Sequence, residues 1–454
     1  MLNGDFCPYA KCTFSGEYAK NPSKRLVVAA MDLHLSDNSR VCIVGGGPAG
    51  SFAALHLLDQ ASRQGLQPEV LIFEPRDFTR PGPAGCNRCA GILSSRLLRG
   101  LEELGISLPR QIVQADVQSY ALNLDGKTLR IERPDPHRRI VCVYRGGGPR
   151  LGQGEPTASF DAYLLTQACA RGAHHVPVRV RQVIWQERPV LQTALGDYPA
   201  DLMVLATGVN SRAPLAPSFG YQPPRTTIMA QDEVLRPPTW PDDQVHVFFR
   251  QPPGLIFGAL IPKGRYLNIS LLGRRLTSDT VNEFIAAQTL DAVLPAGYTS
   301  LCGCTPRIAE GMAHRYFGAR WVAVGDAAVT RLYKDGIGSA IFTAQRAMCT
   351  AVNQGISPQA FHNSYAPYCR RVAVDNLYGR LLFRLWSFTL HTPPLLRAWI
   401  SALHQEAAWS PERRIHHRVL WGMFTGDEAY RDLFRLAFSP RAIAGLVGGW
   451  RRGQ

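Results

Sequence analysis

Three glycines near the start of the chain have the spacing of a dinucleotide-binding turn. Gly45, Gly47 and Gly50 form the pattern G-x-G-x-x-G within RVCIVGGGPAG at 40–50. Glycines at these places permit a tight turn, let the backbone approach a pyrophosphate and allow close helix–strand packing. The free N–H groups at the start of the following helix favour phosphate. The pattern predicts pyrophosphate binding, and the alternative is a glycine-rich turn without a ligand.

Four cysteines form two closely spaced pairs. Cys86 and Cys89 form C-x-x-C, and Cys302 and Cys304 form C-x-C. Such thiols can relay electrons as a redox dithiol, bind zinc or an iron–sulfur centre, or pack as small buried residues. The sequence leaves all three interpretations open. In the redox interpretation the four cysteines are candidate catalytic residues and no metal ligand is assigned.

The segments around the glycines predict a strand, a turn and a helix. Residues 41–44 are a short apolar run typical of a strand buried on both faces, and residues 53–58 continue with helical character. A second apolar run, 68–73, ends at Glu74, where a carboxylate would hold a ribose hydroxyl. Further buried runs end at Gly208 and at 325–326. A parallel sheet is expected, with the binding residues at its strand ends.

Strand-like segments with short turns lie between these buried runs. Residues 113–143 and 226–275 alternate in the manner of antiparallel strands, and 176–185 is expected to be one strand. The order predicts an α/β protein in which one nucleotide-binding lobe is assembled from distant segments. An antiparallel substrate lobe is inserted between those segments.

Six motifs occur in an order that resembles a known family. They are GGGPAG at 45–50, CAGI at 89–92, ATG at 206–208, PPGLIFGALIPKG at 252–264, GDAA at 325–328 and DGIGSA at 335–340. Over residues 40–350 the chain resembles the p-hydroxybenzoate hydroxylase-like FAD fold and, within it, the geranylgeranyl reductase family. The resemblance implies a Rossmann-like FAD-binding lobe with a parallel sheet, an antiparallel-sheet substrate lobe and a helical C-terminal region.

The resemblance also implies boundaries for these parts. The FAD-binding lobe would comprise 40–112, 145–215 and 300–374, and the substrate lobe 113–144 and 216–299. Residues 1–39 would be an N-terminal tail, and 375–454 the helical C-terminal region.

By the same resemblance, most of the candidate residues would hold FAD. Asp326 would accept a hydrogen bond from a ribityl hydroxyl or a phosphate-bridging water, and Glu74 would hold the adenosine ribose. Cys89 would lie beside the flavin, Ala259 stands where the family has a tryptophan, and Arg150 corresponds loosely to a family arginine. The other implied cofactor-binding residues are Gly45, Gly47, Pro48, Ala49 and Gly50 at the pyrophosphate, Gly208 of the ATG motif, and Gly336, Ile337 and Gly338 at the flavin N1–O2 edge.

Composition and charge restrict the partners that we expect. The 454 residues have a net charge of +15, but the arginines are scattered and no basic stripe is interleaved with aromatics. Nucleic-acid binding is therefore not expected, whereas docking of an acidic electron carrier would fit the charge. No long apolar run or signal peptide is recognisable, so we expect a cytoplasmic protein with reduced thiols.

The C-terminal region has apolar faces with arginines between them. Its apolar residues are Leu381, Leu382, Leu385, Trp386 and Leu390, followed after Pro393 and Pro394 by Leu395, Trp399, Ile400 and Leu403. Such faces either cover the core or lie peripherally on an anionic membrane.

Together these features predict an FAD-dependent oxidoreductase that reduces C=C bonds of a hydrophobic isoprenoid or lipid substrate. No second dinucleotide fingerprint is present, so NAD(P)H would bind transiently at the flavin or reduced ferredoxin would supply the electrons. The alternatives are an FAD-dependent monooxygenase of the same fold and a flavoprotein that carries electrons to quinone.

Overall fold

The computed structural model describes residues 33–452 except 89, 125, 291–293, 295–297 and 334. Cys89 and residues 1–32 of the predicted tail therefore lie outside the described residues.

Strands outnumber helices in the first two thirds of the chain, and helices dominate the last third. The strands are β1 (Arg40–Val44), β2 (Glu69–Phe73), β3 (Ile92–Leu93), β4 (Val113–Val117), β5 (Ser119–Leu124), β6 (Lys127–Glu132), β7 (Ile140–Val143), β8 (His174–Val176), β9 (Gln182–Trp185), β10 (Pro189–Gln192), β11 (Asp197–Pro199), β12 (Leu202–Leu205), β13 (Thr226–Leu235), β14 (Gln244–Phe248), β15 (Leu255–Lys263), β16 (Tyr266–Gly273), β17 (Arg307–Ala309), β18 (Phe317–Gly318) and β19 (Trp321–Ala323). The α-helices are α1 (Pro48–Arg63), α2 (Ser95–Glu103), α3 (Phe160–Ala170), α4 (Thr280–Ala287), α5 (Gly336–Asn353), α6 (Pro358–Ala360), α7 (Ala366–His391), α8 (Pro393–Ala407), α9 (Ile415–Thr425), α10 (Tyr430–Ala437) and α11 (Pro440–Arg452). Short 3₁₀ turns occur at Gly82–Ala84, Pro217–Phe219, Gly325–Ala327 and Pro411–Arg413, and Phe361–Tyr365 is a π-helical turn.

Strand β1 lies inside a sheet whose order is β18-β19-β12-β1-β2-β8. It pairs in parallel with β2 and β12, so that Val41 faces both Val70 and Leu202. Residues 41–44 are buried, which explains an apolar run without alternation, as in strands covered on both faces. Strand β18 runs antiparallel to β19, and the other neighbours are parallel. The predicted parallel sheet is confirmed.

A second sheet has the order β17-β13-β16-β15-β14-β5-β6. Its strands pair in antiparallel fashion except for β14 and β5, which are parallel. The predicted antiparallel segment 113–143 divides between two sheets, because β5 and β6 join this sheet whereas β7 lies between β3 and β4 in a separate three-stranded sheet. The α/β class with a parallel sheet, an antiparallel sheet and a helical C-terminal region is confirmed.

The expected single strand at 176–185 is wrong. Strand β8 ends at Val176 in the parallel sheet, and β9 begins at Gln182 in a small antiparallel sheet with β10 and β11. Pro177 separates them and has no N–H group to continue a ladder. The Val178 N–H donates to the Val176 carbonyl, which turns the chain between the two sheets.

The C-terminal helices pack on the antiparallel sheet through large aromatic side chains. Trp421 of α9 is fully buried and meets Tyr120 of β5 edge-on, with 5.4 Å between ring centroids. Helices α7 and α8 are separated at Pro393, as predicted, and proline suits the first position of the new helix. In the part of the chain that the structure describes, no helix is long and apolar enough to span a membrane.

We expect Gly50→Ala to destabilise the fold by about 3 kcal/mol, because an added methyl group would overpack the junction of β1 and α1. A Cβ atom at residue 50 would lie 1.8 Å from the Gly45 carbonyl oxygen. Thermal unfolding of the cofactor-free protein measures the effect. The control is Gly311→Ala, where a Cβ would meet nothing within 4 Å. Equal unfolding temperatures for the two variants would contradict this account of the junction.

Candidate functional site

The parallel and antiparallel sheets enclose a cavity of about 610 Å³. The carboxyl ends of β1, β2 and β12 contribute Val44, Phe73 and Ala206 to its wall. Open parallel sheets bind ligands at this edge. The volume falls in the range of small-molecule sites.

Most of the predicted binding residues meet in this cavity. The predicted residues that line it are Gly45, Gly47, Pro48, Ala49, Glu74, Cys86, Gly208, Asp326, Gly336 and Ile337. Gly50, Gly338, Cys302 and Cys304 do not line it among the described residues. The structure therefore gathers residues from four distant segments at one place.

The glycine-rich turn leaves the start of α1 open to the cavity. Gly45 has φ of +107° and occupies the left-handed region, which favours glycine. Gly47 caps α1 without a side-chain hydrogen bond, and the first turn of α1 contains no acidic residue. The helix N-terminus thus presents its positive dipole end and free N–H groups to an anion.

Glu74 is buried and already has several donors. Its carboxylate accepts hydrogen bonds from the Gly46 N–H at 3.1 Å and from the Arg76 N–H at 3.1 Å. The Arg76 guanidinium adds bonds of 2.9 and 3.1 Å. Glu74 thus fixes the glycine-rich turn, and its role as a ribose ligand stays a prediction.

An ion pair that the sequence did not reveal lies at the centre of the polar wall. Arg145 donates to both oxygens of Asp161, at 2.6 and 2.9 Å, and the two side chains are 10% and 0% exposed. Asn87 donates to Asp161 and accepts from Arg76 at 2.6 Å. A chain of charge-assisted bonds thus joins Arg145 to Arg76 and through it to the carboxylate at the end of β2.

Arg145 is therefore the arginine that binds the start of α3, and the loose correspondence of Arg150 to a family arginine stays a prediction. Arg150 is exposed, whereas Arg145 comes two residues after the end of β7 and lines the cavity. The sequence did contain a signal for this ion pair. Arg145 comes just after a fully apolar strand, and an arginine buried there requires a charged partner.

Asp326 presents an unused acceptor to the cavity. Its Oδ1 atom is buried and has no hydrogen-bond partner among the described residues. Burial raises the pKa of this carboxyl, while a hydrogen bond with Thr330 lowers it. A ligand hydroxyl group would supply the missing donor.

Helix α5 begins at Gly336, and Asp335 caps it. The Asp335 carboxylate accepts from the Gly338 N–H at 3.1 Å and from Ser94 Oγ at 3.2 Å. The Gly338 N–H is thus used inside the protein, and Gly336 and Ile337 face the cavity. Burial raises the pKa of Asp335 to about 6, against the opposing effect of Arg331 and Arg96.

The three described cysteines of the two pairs lie on two different segments, although they are close enough to affect one another's pKa values. Cys86 lines the cavity, whereas the backbone of Cys304 pairs with Gln231 of β13, and Cys302 N–H donates to Asp232 at 3.0 Å. Burial raises the pKa of Cys86, and it raises those of Cys302 and Cys304 to about 11 and about 12. Thiols with raised pKa values stay protonated at neutral pH, which disfavours reactions that need a thiolate. The described residues contain no group of three or more His, Cys, Asp or Glu side chains that could hold a metal ion.

The other side of the cavity is apolar. Ala259, at the place of the family tryptophan, lines it beside Phe257 and Ile261 of β15. Met229 of β13 and Phe424 of α9 complete this wall. A hydrophobic ligand would replace water here with favourable burial of apolar surface.

A polar network adjoins the apolar wall. Gln231 and Ser270 line the cavity, and Gln231 donates to Ser270 Oγ at 2.8 Å. Ser270 donates to Asn268 at 2.7 Å, and Asn268 lies 3.5 Å from the Glu233 carboxylate. Lys263 pairs with Glu233 at 3.4 Å, and both side chains are buried. Each buried polar group here has a partner, as a stable interior requires.

We expect Arg145→Met to lower the free energy of unfolding by about 3–5 kcal/mol, because it leaves the Asp161 carboxylate buried without its cation. The control is Arg188→Met at the half-exposed pair with Asp201, 2.9 Å apart, where the expected loss is about 1 kcal/mol or less. Denaturant unfolding of both cofactor-free variants measures the difference. Similar losses would show that the buried pair does not hold the cavity wall.

Comparison with known proteins supports the fold. No protein-family model and no curated protein matches the chain. A geranylgeranyl bacteriochlorophyll reductase-like structure from Thermoplasma acidophilum is 16% identical with a TM-score of 0.60, covering 91% of this chain and 100% of its own.

Two other solved structures show the range of proteins with this fold. A flavin-dependent brominase is 15% identical with a TM-score of 0.60, over 92% of this chain and 100% of its own. The p-nitrophenol 4-monooxygenase from Pseudomonas putida is 13% identical with a TM-score of 0.55, over 88% and 99%. The chain therefore has the α/β fold that a geranylgeranyl bacteriochlorophyll reductase-like protein, a flavin-dependent brominase and a p-nitrophenol monooxygenase share, as its motifs predicted.

Proposed function

We propose that the protein is an FAD-dependent oxidoreductase that reduces a C=C bond of a hydrophobic isoprenoid or lipid substrate. The observation that carries the proposal is one cavity with two unlike halves. Its polar half contains the glycine-rich turn and Asp326, and its apolar half is formed by side chains such as Phe257 and Met229. The fold shared with flavin-dependent proteins supports this assignment.

The residues of the polar half fit FAD. The turn at Gly45 and the uncapped start of α1 would bind the pyrophosphate. The free Oδ1 atom of Asp326 would accept a hydrogen bond from a ribityl hydroxyl group. The start of α5 at Gly336 would face the flavin and stabilise negative charge there.

Saturation of a C=C bond needs a hydride on one carbon and a proton on the other. Reduced FAD would supply the hydride when bound. We assign the proton to Asp335, which lines the cavity at the start of α5. Its pKa of about 6 leaves part of the carboxyl protonated near neutral pH. Substrate and cofactor would lie against Ala259 and its apolar neighbours, which exclude water from the reacting atoms.

Monooxygenation is the second candidate, since a monooxygenase and a brominase have the same fold. The raised thiol pKa values give no support to electron transfer through the cysteines. The electron donor in either case would be NAD(P)H or reduced ferredoxin, and the +15 charge would suit an acidic carrier.

Anaerobic reduction of the purified protein, loaded with FAD, tests the function. NADPH, NADH and reduced ferredoxin are compared as donors, and polyprenyl lipids are added to the reduced protein. We expect flavin re-oxidation together with a substrate product that is two hydrogen atoms heavier. Products that contain oxygen and form only in air would favour the monooxygenase. Failure to bind FAD would refute both candidates.

The role of Asp335 predicts a pH dependence of the reductive step. The protonated fraction of Asp335 falls as the pH rises through about 6, so the re-oxidation rate by substrate should fall above that pH. Asp335→Asn keeps an N-cap and a residue that tolerates the left-handed backbone at φ of 58°, but carries no acidic proton. We expect at least a tenfold slower, pH-independent step. Infrared spectroscopy of the variant should also lack a carboxyl band that titrates near pH 6; an unchanged profile and band would exclude Asp335.

A further inference from the structure

Helix α7 has apolar side chains on two opposite faces. The inner face packs on the antiparallel sheet, where Trp386 meets Phe249 with 5.7 Å between ring centroids. The outer face carries a stripe that the core does not use. The stripe comprises Val374, Leu377, Leu381, Leu385 and Phe388, which are 41–62% exposed. The spacings of three and four residues place these side chains on one side of the helix over about 21 Å.

An apolar groove begins one turn beyond this stripe. Its volume is about 290 Å³, and it lies between the start of α8 and the end of α11. The lining residues are Thr392, Pro394, Leu395, Ala398, Leu446, Val447 and Trp450. Trp450 is 49% exposed at the rim. A run of exposed apolar groups of this length differs from the single exposed side chains that are normal on a protein surface.

The charges next to this surface are positive. Helices α7, α8 and α11 contain eight arginines, no lysine and two acidic residues. Asp375 accepts backbone N–H bonds from Tyr430 and Arg431, and Glu406 is buried against His416. Both carboxylates are therefore used inside the fold. The exposed arginines of the three helices are Arg370, Arg371, Arg384, Arg397, Arg441 and Arg451.

We propose that the α7 stripe and the adjoining groove bind the surface of an anionic lipid bilayer, with α7 lying in the plane of the interface. A helix with an apolar stripe and flanking arginines places its side chains among acyl chains and its cations at lipid phosphates. The groove at Trp450 has the apolar lining that an acyl chain requires.

A second copy of this chain would fit this surface less well than an anionic bilayer. A two-fold interface sets each patch against itself. The arginines of α7 would then face arginines of the other copy, and no free carboxylate of these helices would compensate them. Anionic lipid supplies the opposite charge and the apolar surface together.

The inner face of α7, opposite the stripe, contacts residues of the cavity wall. Phe383, on the inner face of α7, stacks with Phe257 at 6.4 Å and meets Tyr333 at 5.3 Å. Phe257 and Tyr333 both line the cavity. A membrane-borne substrate would thus be one helix away from the apolar half of the site. This consequence rests on the proposed function, whereas bilayer binding does not.

Co-flotation of the 454-residue protein with vesicles tests the proposal without turnover. One set of vesicles contains equal parts of phosphatidylglycerol and phosphatidylcholine, and the other contains phosphatidylcholine alone. We expect binding to the anionic vesicles that weakens with salt, and at least tenfold weaker binding of a Leu381→Glu, Phe388→Glu double variant. The matched control is Leu195→Glu, an apolar residue 66% exposed in a turn between β10 and β11, which should bind like the wild type.

Three outcomes would overturn the proposal. The first is absence of binding to anionic vesicles, and the second is equal binding by the double variant. The third is a wild-type dimer, detected by light scattering, that the double variant converts to a monomer, because the face would then join two copies. Unchanged thermal unfolding of the double variant controls for misfolding. If the protein binds anionic vesicles but does not reduce the substrate, the result would refute the proposed function and leave the bilayer proposal intact.

Discussion

The bidentate pair of Arg145 and Asp161 is the interaction on which the arrangement of the cavity depends. Arg145 extends from the end of β7, and Asp161 lies in the first turn of α3, so the pair joins a small sheet to a helix that packs beside the parallel sheet. Neither charge could remain buried alone. Through Asn87 the same carboxylate is connected to Arg76 and to the end of β2. The pair therefore fixes the polar half of the cavity before any ligand binds.

Local sequence patterns were sufficient to predict the parallel sheet and the turn at Gly45. These features depend on neighbouring residues: a buried apolar strand, glycines at fixed spacing and a helix start. The end of the strand before Pro177 also follows from local sequence. Proline has no N–H group to continue a ladder, so the two separate strands could have been predicted. Arg145 was missed because its partner belongs to a helix that is brought near only by tertiary structure. Glu74 was predicted at the right strand end, but its bonds to Arg76 and Gly46 depend on how the loop after β2 returns to the turn.

The cysteines show why spacing alone does not establish chemistry. The segment 302–304 is held to β13 by backbone hydrogen bonds and by the Asp232 carboxylate, a structural arrangement that any small residue could share. Burial then raises the pKa of these thiols, an effect that depends on surroundings contributed by other segments. Asp335 illustrates the reverse case. It resembles an ordinary helix cap in sequence, but partial burial in the cavity wall gives its carboxyl a pKa of about 6.

Helix α7 shows that the spacing of apolar residues does not by itself predict which of them are buried. Two apolar stripes occur in its sequence, and the apolar residues singled out in the sequence divide between them: Leu382, Trp386 and Leu390 are buried, whereas Leu381 and Leu385 are exposed. A helix that is apolar all round normally lies inside a protein. Here the exposed stripe is bordered by arginines, whose guanidinium groups require water or an anion. The proposed bilayer surface would meet both demands, with the stripe among acyl chains and the guanidinium groups at the polar boundary.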